Sequence, residues 1–303
     1  MYYTKNRYKK TEELKFSIVI PSWNNLALLR CCVESIRKNS TFRHQIIVHV
    51  NSGSDGTLEW VKSQPDIDYS HTPDNVGVCY ALNLARTLVD TDYILYLNDD
   101  MYVCPEWDAA FDKAIKSINH HFFFLSGTLI EPHRYLQNSI EKNFGETLEA
   151  FKEQQLLSEY GTLKRANCLG ALYPPNIVHR DVWDLVGGYS IEFSPGMGSD
   201  PDFVAKLWMM GVRHFRILGD CLVYHFGKAT TSRIKHNNVS ATFIYKWSHT
   251  PRTYREVVLR FGLPDTPENI ARPYYMPLRK TVKDNLKKWL YAWRYLFSKN
   301  KIA

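Results

Sequence analysis

The sequence lacks the features of a disulfide-stabilised, secreted or membrane-spanning protein. Its six cysteines form no C-x-x-C pair, and the adjacent Cys31 and Cys32 cannot easily share a bridge. Residues 1–10 are polar and basic, and no apolar run follows them that would make a signal peptide. No stretch reaches the roughly 18 apolar residues that a transmembrane helix needs. We therefore expect a cytoplasmic protein that is either soluble or bound peripherally to the inner face of a membrane.

The chain also has too little excess charge for a nucleic-acid-binding protein. Its formal net charge is +7 over 303 residues, and its hydrophobic content is 45%, which is ordinary for a soluble globular protein. Much of the excess lies near the C-terminus, where eight basic residues between Arg279 and Lys301 accompany one acid, Asp284. The rest of the chain is close to neutral, and so we expect no nucleic-acid partner.

Strand-like and helix-like segments alternate through the first hundred residues, without an internal repeat. The pattern predicts strands at 16–21, 45–50, 67–70 and 93–97, and helices at 26–38, 58–63 and 78–88. This alternation, with short connections, is typical of a doubly wound, mainly parallel sheet flanked by helices. In such a sheet the loops after the strands emerge at one edge, where these folds bind ligands.

Two adjacent carboxylates, Asp99 and Asp100, follow the fourth of these strands, directly after Asn98. Neighbouring carboxylates repel each other unless one stays protonated or a cation or hydroxyl donors compensate the charge. One interpretation is therefore a divalent metal site at the end of a central strand. The other is an acidic turn that caps the next helix, with Asp108 as a further acid nearby.

The second half of the chain is less regular. We predict strands at 122–130, 167–173, 176–179 and 221–226, and helices at 144–160, 181–186 and 202–210. A loop rich in glycine and proline begins at Ser194 and carries two further carboxylates, Asp200 and Asp202.

Seven motifs along the chain resemble those of the inverting nucleotide-sugar transferases of glycosyltransferase family 2. In order they are FSIVIPSWNN, NSGSDGT, DNVGVCYALNLA, YLNDDM, LVGGYSIEF, GSDPDF and VYHFG. The resemblance covers roughly residues 16–231 and implies a Rossmann-like GT-A fold. It implies a catalytic domain at 1–235 and a helical, basic extension at 236–303. The implied activity is transfer of a sugar from a UDP- or dTDP-linked donor to a hydroxyl of a glycan or lipid-linked acceptor, as in polysaccharide biosynthesis.

The resemblance assigns metal chemistry to three residues. Asp100 matches the last acid of the family's D-x-D-type motif, which holds a divalent cation on the donor diphosphate, and Mn²⁺ or Mg²⁺ suits carboxylate ligands. The first motif position is Asn98, which leaves Asp99 as a ribose contact, a supporting group or a second metal ligand. His225 matches a histidine that joins the metal shell or touches the pyrophosphate in some members; a hydrogen-bonded structural histidine is the alternative.

The resemblance also implies a nucleotide site built from the loops after the strands. Asp55 matches an acid that meets the base or ribose, although an Asx-turn capping the next helix is compatible with it. Trp23 either stacks on the base or packs within its loop. Asn75 and Gly77 open a helix whose N-terminus would favour phosphate. The full set on the donor side is Pro21, Trp23, Asn51, Asp55, Asn75, Gly77, Asn98 and Asp99.

Asp200 matches the catalytic base of the family. An inverting transfer needs a base on the acceptor side, because the hydroxyl attacks in one in-line step. The family commonly has Glu-Asp here, whereas this chain has Ser199 before Asp200. Asp202 is the alternative base, or else a helix N-cap. Lys228 and Arg233 either pair with phosphate or are solvated charges.

Apolar residues of the tail recur at helical spacing between lysines and arginines. Such a basic amphipathic helix with tryptophans fits the surface of an anionic bilayer; a helix packed on the catalytic domain is the alternative. The apolar positions are Val282, Leu286, Trp289, Leu290, Trp293 and Phe297.

Two other functions fit a chain of this class less well. A nucleotidyltransferase of related fold would carry a G-x-G-T-R-like loop after the first strand, and the loop that starts at Ser22, SWNN, does not match it. A non-catalytic nucleotide-sugar-binding relative is disfavoured because the acids at 100 and 200 are both intact.

Overall fold

A computed structural model describes residues 4–7, 13–134, 139–227 and 239–297 of the chain. Lys228, Arg233 and the expected domain boundary between residues 235 and 236 lie outside these described residues, and their assignments stay predictions. Among the described residues, no helix combines the length and the hydrophobicity that crossing a membrane requires.

The described strands form one mixed sheet of eleven strands. They are β1 (Thr4–Asn6), β2 (Ser17–Trp23), β3 (Gln45–Asn51), β4 (Ile67–Thr72), β5 (Tyr93–Tyr96), β6 (Met101–Val103), β7 (Phe123–Glu131), β8 (Ile140–Glu141), β9 (Cys168–Leu169), β10 (Asn176–His179) and β11 (His214–His225). The spatial order is β1-β4-β3-β2-β5-β10-β7-β11-β6, with β8 beside β7 and β9 beside β11.

The strand directions decide which loops meet. Strands β2, β3, β4 and β5 run parallel. Strand β10 lies antiparallel between β5 and β7, so that β7 and its parallel neighbour β11 point the same way as the first four. The carboxyl ends of all these strands except β10 therefore share one edge of the sheet.

Helices cover both faces of the sheet. They are α1 (Leu26–Asn39), α2 (Thr57–Ser63), α3 (Gly77–Arg86), α4 (Trp107–Ser117), α5 (Glu153–Glu159), α6 (Arg180–Leu185), α7 (Ser199–Met209), α8 (Val239–Trp247), α9 (Pro251–Thr253), α10 (Pro267–Ala271) and α11 (Leu278–Phe297). Single 3₁₀ turns lie at Tyr160–Leu163 and Ile191–Phe193, and a π-helical turn at Tyr254–Val258 continues α9.

Alternating side chains of the central strands pack into two hydrophobic cores, one on each face of the sheet. On β2, Ile18 and Ile20 pack in one buried cluster with residues of α1 and α4. Val19 points to the other face and packs in a second cluster with residues of α3 and α7. This arrangement places every central strand between two helical layers, which explains the near-continuous apolar runs of the sequence. The predicted α/β class, with a helical C-terminal region, is confirmed.

Three predicted elements are wrong in extent. The helix expected at 144–160 is confined to Glu153–Glu159, because Gly145 has φ +117° and a Cβ there would lie 2.3 Å from the carbonyl oxygen of Ala150. The strand expected at 167–173 shrinks to two residues. The strand expected at 221–226 is the end of the twelve-residue β11.

Candidate active site

Asp100, His225 and Glu131 come together at the carboxyl edge of the sheet. Asp100 follows β5, while Glu131 and His225 are the last residues of β7 and β11. The His225 Nε2 atom lies 3.4 Å from Asp100 Oδ2, and its Nδ1 atom lies 2.8 Å from Glu131 Oε1. Because Met101 pairs with His225 in the antiparallel β6–β11 ladder, the backbone itself holds the acid and the imidazole side by side.

The polar atoms of this cluster fit a divalent cation. Asp100 Oδ1 is buried and has no hydrogen-bond partner among the described residues, which is costly for a carboxylate oxygen unless a cation satisfies it. Burial alone would lower the pKa of His225, but the Asp100 and Glu131 carboxylates outweigh it and raise that pKa to about 10. The site therefore stabilises positive charge between two carboxylates. A cation held by Asp100 and Nε2, with Nδ1–H donating to Glu131, matches the common arrangement of metal-binding histidines.

Glu131 is a functional candidate that the sequence analysis missed. It lies at the end of an apolar stretch, and its side chain is fully buried. The local signal was its place as the first acid after the strand predicted at 122–130. That this strand ends at the same edge as Asp100 depends on the pairing of β10 between β5 and β7.

Replacing Glu131 by glutamine is expected to weaken Mn²⁺ binding by about 10–100-fold. The amide oxygen can still accept from His225 Nδ1–H, but it lacks the charge that makes Nε2 a stronger ligand. Titration of free Mn²⁺ by electron paramagnetic resonance measures the affinity. Glu141→Gln is a matched control, because Glu141 pairs with Glu131 across the β7–β8 ladder and is exposed. Equal Mn²⁺ affinities for E131Q and the unchanged protein would contradict this role.

Asp99 is tied to the neighbouring strand. Ser22 Oγ, on β2, donates a hydrogen bond of 2.7 Å to Asp99 Oδ2, and both residues are buried. This bond supplies one of the hydroxyl donors that an adjacent pair of acids needs, and it joins the loop after β5 to β2. Asn98 is half-buried beside it. The choice among ribose contact, metal ligand and supporting group for Asp99 stays open, and the donor contact of Asn98 stays a prediction.

Asp55 caps two helices at once. Its Oδ2 accepts from the Leu26 N–H at 2.9 Å, and its Oδ1 accepts from the N–H and Oγ1 of Thr57 at 3.1 and 2.6 Å. Desolvation raises the pKa of Asp55, but these hydrogen bonds outweigh it and hold the pKa below its ordinary value. The capping role is therefore present in the structure, and a contact with base or ribose stays a prediction.

Asn51, Asn75 and Gly77 organise the start of α3. Asn51 Oδ1 accepts from the N–H of the residue before the helix, and Asn75 Oδ1 accepts from the Gly77 N–H, both at 3.0 Å. The Val78 N–H donates to the Pro195 carbonyl oxygen at 2.7 Å. These first N–H groups are already bonded within the protein, so a phosphate at this helix N-terminus, which stays a prediction, would have to displace one of these bonds to reach them. A contact of Asn75 or Gly77 with another part of the nucleotide stays a prediction.

Gly77 also allows the loop that leads to Asp200 to lie against the start of α3. A Cβ at Gly77 would lie 2.5 Å from the Pro195 Cα, and the φ of Gly77 is +78°. Only glycine fits this contact without strain. Ser194 Oγ adds a bond of 2.8 Å to the Val76 carbonyl oxygen, so the loop after β4 holds the loop before α7.

Pro21 and Trp23 lie on the last part of β2. Trp23 pairs with Asn51 in the parallel β2–β3 ladder, and both Pro21 and Trp23 are half-buried. The next residue, Asn24, accepts two hydrogen bonds of 3.0 Å through Oδ1 from the N–H groups that follow β3. The loops after β2 and β3 are thus joined beside the positions expected to meet the base.

Asp200 lies in the first turn of α7 and is half-buried. Desolvation raises its pKa to about 7, although the Tyr189 hydroxyl, which donates to Oδ1 at 3.2 Å, acts in the opposite direction. Asn83 fixes Tyr189, since its Oδ1 accepts from the Tyr189 N–H at 2.9 Å and its Nδ2 donates to the Tyr189 carbonyl at 2.8 Å. A carboxylate with a pKa near neutrality is well suited to accept a proton during catalysis.

Asp202 is not the N-cap that the sequence suggested. Gly198 occupies that position with φ +81°, and Asp202 lies inside the first turn with no exposed surface. Asp202 Oδ1 accepts from the Trp247 indole Nε1–H at 2.8 Å and lies 2.8 Å from Lys246 Nζ. Asp202 therefore fastens the C-terminal region to the helix that carries Asp200.

Tyr96 packs against Tyr189, whose hydroxyl donates to Asp200. Its ring meets the ring of Tyr189 edge-on, with centroids 6.0 Å apart. Burial raises the pKa of the Tyr96 hydroxyl well above its ordinary value, and the charges of Asp200 and Asp100 raise it further. Both carboxylates therefore lie within electrostatic range of one hydroxyl.

A second group of possible metal ligands lies at the opposite edge of the sheet. Ligand atoms of His121, His179 and Asp181 lie within 4.8 Å of one another. The two imidazole rings are stacked 3.8 Å apart, however, and a metal must lie in the plane of each ring. His179 Nδ1 also accepts from the Asp181 N–H at the start of α6. We interpret this group as a helix cap.

The sequence matches a known protein family over half of its length. Residues 17–168, half of the chain, match the family model for glycosyl transferase family 2. No curated protein sequence matches significantly. The S. aureus TarS 1–349 structure matches with a TM-score of 0.54 at 15% identity, over 94% of this chain and 76% of that one.

Two further solved structures share the fold. Mannosyltransferase PcManGT from Pyrobaculum calidifontis, in complex with GDP-Man and Mn²⁺, matches with a TM-score of 0.50 at 15% identity, over 96% of this chain and 77% of that one. GalNAc-T7 with UDP, GalNAc and Mn²⁺ matches with a TM-score of 0.56 at 13% identity, over 93% and 57%. At such low identities these likenesses concern the fold, which is GT-A. Taken with the family match, they show that the chain belongs to glycosyl transferase family 2 and is a glycosyltransferase.

Proposed function

We propose that this glycosyltransferase moves a sugar from a UDP- or dTDP-linked donor to a hydroxyl of a glycan or lipid-linked saccharide, with inversion at the sugar. The observation that carries the proposal is the pair of acidic centres around Tyr96: Asp100, with an unsatisfied oxygen, and Asp200, with a pKa near 7. The bound molecules of the structural neighbours support it. TarS is known with UDP and with UDP-GlcNAc, and two other neighbours contain Mn²⁺.

The cluster of Asp100, His225 and Glu131 at the sheet edge would bind the donor diphosphate through a cation. Asp100 and His225 would hold Mn²⁺ or Mg²⁺, and Asp99 would contact the ribose or the cation. Such a cation supplies the positive charge that a departing nucleoside diphosphate requires. Glu131 keeps the His225 ring oriented through Nδ1. The single imidazole in the ligand set favours the softer Mn²⁺ over Mg²⁺.

The nucleoside would lie across the loops after β2, β3, β4 and β5. These loops share one edge because their strands are parallel. Hydrogen bonds accepted by the side chains of Asn24, Asp55 and Asn51 connect the loops after β2, β3 and β4, and the bond from Ser22 to Asp99 connects the loop after β5 to β2. The residues proposed to contact the donor are Pro21, Trp23, Asn51, Asp55, Asn75, Gly77, Asn98 and Asp99.

The acceptor side rests on Asp200. Its carboxylate takes the proton of the acceptor hydroxyl while the hydroxyl oxygen bonds to the anomeric carbon. The bond from that carbon to the diphosphate oxygen breaks in the same step, and its electron pair leaves with the nucleoside diphosphate. Tyr189 holds Oδ1 of the base in place, and Asn83 holds Tyr189. Both are positioning residues.

We place the reaction in the cytoplasm, with residues 1–235 as the catalytic domain and 236–303 as an extension. All six cysteines are free in the structure, as expected in a reducing compartment. An acceptor linked to a lipid would bring the enzyme to the inner face of a membrane.

Incubation with a panel of UDP-, dTDP- and GDP-sugars and saccharide acceptors tests this function. We expect nucleoside diphosphate release and sugar addition with a donor from the first two groups, in the presence of Mn²⁺ and not after chelation. Release of inorganic pyrophosphate would instead identify a nucleotidyltransferase. Binding of a nucleotide sugar without turnover across all acceptors would identify a non-catalytic relative.

A further inference from the structure

Helix α11 turns its apolar side chains towards solvent. Four of them are between 49% and 72% exposed: Leu278, Val282, Leu286 and Trp289. Leu290 beside them is 41% exposed. A helix that merely packs on a globular domain shows the reverse arrangement, with its apolar stripe facing the core.

The polar side of α11 is the side that contacts the protein. Asp284 is 2% exposed, and its Oδ2 accepts from the Thr250 N–H at 3.2 Å. Lys280 pairs with Glu256, one turn before Asp284. One turn after it, Lys288 Nζ donates to Ser248 at 3.2 Å. At about 3.6 residues per turn, the stripe of 280, 284 and 288 lies opposite the stripe of 282, 286 and 289. The orientation of the apolar face is thus fixed by hydrogen bonds on the other side of the helix.

A strip of exposed cations borders this apolar face. Arg279, Lys283, Lys287 and Arg294 lie on one flank of it, and all four are exposed. An apolar face that contains tryptophan, next to a cationic flank, is the pattern of helices that lie in the interface of a lipid bilayer.

We propose that the face formed by Leu278, Val282, Leu286, Trp289 and Leu290 docks on an anionic lipid bilayer. The positive charge of the cationic strip favours a bilayer over a second copy of the chain as the partner of this face. Two copies meeting through this face would bring their cationic strips together, whereas anionic headgroups complement the strip. The apolar residues enter the headgroup region, and the lysines and arginines contact the lipid phosphates.

The docked helix α11 is connected through α8 to α7, the helix that carries Asp200. The Tyr245 hydroxyl of α8 contacts the Lys288 carbonyl of α11 at 3.5 Å. At the end of α8, Trp247 holds Asp202, which lies two residues from Asp200. Helix α8 therefore contacts both α7, which carries the proposed base, and α11, which is proposed to face lipid. This connection is consistent with a lipid-linked acceptor, and that interpretation rests on the proposed function. The docking of α11 on a bilayer does not rest on the proposed function.

Co-sedimentation of the full chain with vesicles, in the absence of substrates, tests the docking. We expect partition into phosphatidylcholine vesicles that contain phosphatidylglycerol, and little partition into phosphatidylcholine alone. Leu286→Glu combined with Trp289→Glu is expected to lower the partition constant by at least about a hundredfold. Lys283→Gln combined with Lys287→Gln is expected to lower it by about twenty-five-fold, because each lysine near such a surface contributes about a fivefold factor.

Two controls keep the test specific. Leu185→Glu and Met209→Glu alter apolar residues that are 61% and 71% exposed outside α11, and they should leave partition unchanged. The circular dichroism of the α11 variants should match that of the unchanged chain. Three results would overturn the proposal: no enrichment on anionic vesicles, unchanged partition of the Leu286/Trp289 variant, or lipid-free self-association that the same two substitutions abolish.

Discussion

Asp200→Asn is expected to lower kcat for sugar transfer by about 10²–10⁴-fold, the range typical for loss of a general base. The carboxamide has nearly the same shape as the carboxylate but cannot accept the proton of the acceptor hydroxyl. Binding of UDP with Mn²⁺ should persist, because Asp200 lies on the acceptor side of the proposed site. Nucleotide release measures kcat, and calorimetric titration measures UDP binding.

Asp220→Asn is the matched control for this variant. Asp220 is exposed on β11 and should tolerate the change without loss of turnover. Activity of D200N within a few-fold of the unchanged enzyme would show that Asp200 is not the base.

The pH dependence follows from the same carboxyl group. Because desolvation raises the pKa of Asp200 to about 7, the base is protonated at lower pH, and kcat should fall on the acid side of that value. Tyr189→Phe removes a hydrogen bond that lowers this pKa, so the acid limb of its pH profile should move to higher pH. A purely structural role for Tyr189 would lower kcat at all pH values without moving the limb.

The raised pKa of Asp200 also makes the stability of the folded state depend on pH. The folded state holds the proton of Asp200 more tightly than the unfolded chain, whose carboxyl has the ordinary value of 3.8. The stabilising contribution is therefore full below that value and lost as the pH rises through about 7. D200N should gain stability relative to the unchanged protein across this interval.

Asp100→Asn is expected to abolish Mn²⁺-dependent transfer, with a fall in kcat/KM of at least about 10²–10³-fold, because the charge support of a bound metal amounts to several kcal/mol. It should also remove the increase in Tm that Mn²⁺ and UDP together produce, since ligands that bind only the folded state stabilise it by mass action. Differential scanning fluorimetry with and without Mn²⁺ measures this change.

Asp92→Asn provides the comparison for this variant. Asp92 precedes β5 at the opposite end of the strand and its side chain is 64% exposed. It should retain both activity and the response to Mn²⁺. A D100N protein that still gains stability from Mn²⁺ and UDP as the unchanged protein does would exclude Asp100 as the metal ligand.

Local sequence patterns predicted those parts of the molecule that depend on local periodicity. The strands that end at Trp23 and Asn51, and the strand before Asp99, contain short apolar runs, and parallel pairing carries the polar residues at and after their ends to one edge. The pairing of β10 between β5 and β7 brings β7 and β11 to that edge as well. No local pattern contains this pairing, and Glu131 was overlooked for that reason.

The contacts around Asp200 and Asp202 could not be predicted from local sequence patterns for the same reason. Asp202 precedes an apolar helical run and so resembles an N-cap, but its partner Trp247 lies 45 residues later. Asn83 and Tyr189 are 106 residues apart in the sequence. The helical spacing of apolar residues between 282 and 297 predicted an amphipathic helix, whereas the direction of its apolar face depends on the position of the residues that bond to Asp284.

A crystal structure with UDP and Mn²⁺, using the anomalous signal of manganese to locate the metal, tests most directly whether one cleft joins the two acidic centres. We predict Mn²⁺ on the carboxylate of Asp100, the diphosphate bound to that ion, and the carboxylate of Asp200 facing the same cavity. Mn²⁺ and diphosphate bound away from Asp100, or separated from Asp200 by the sheet, would contradict the mechanism.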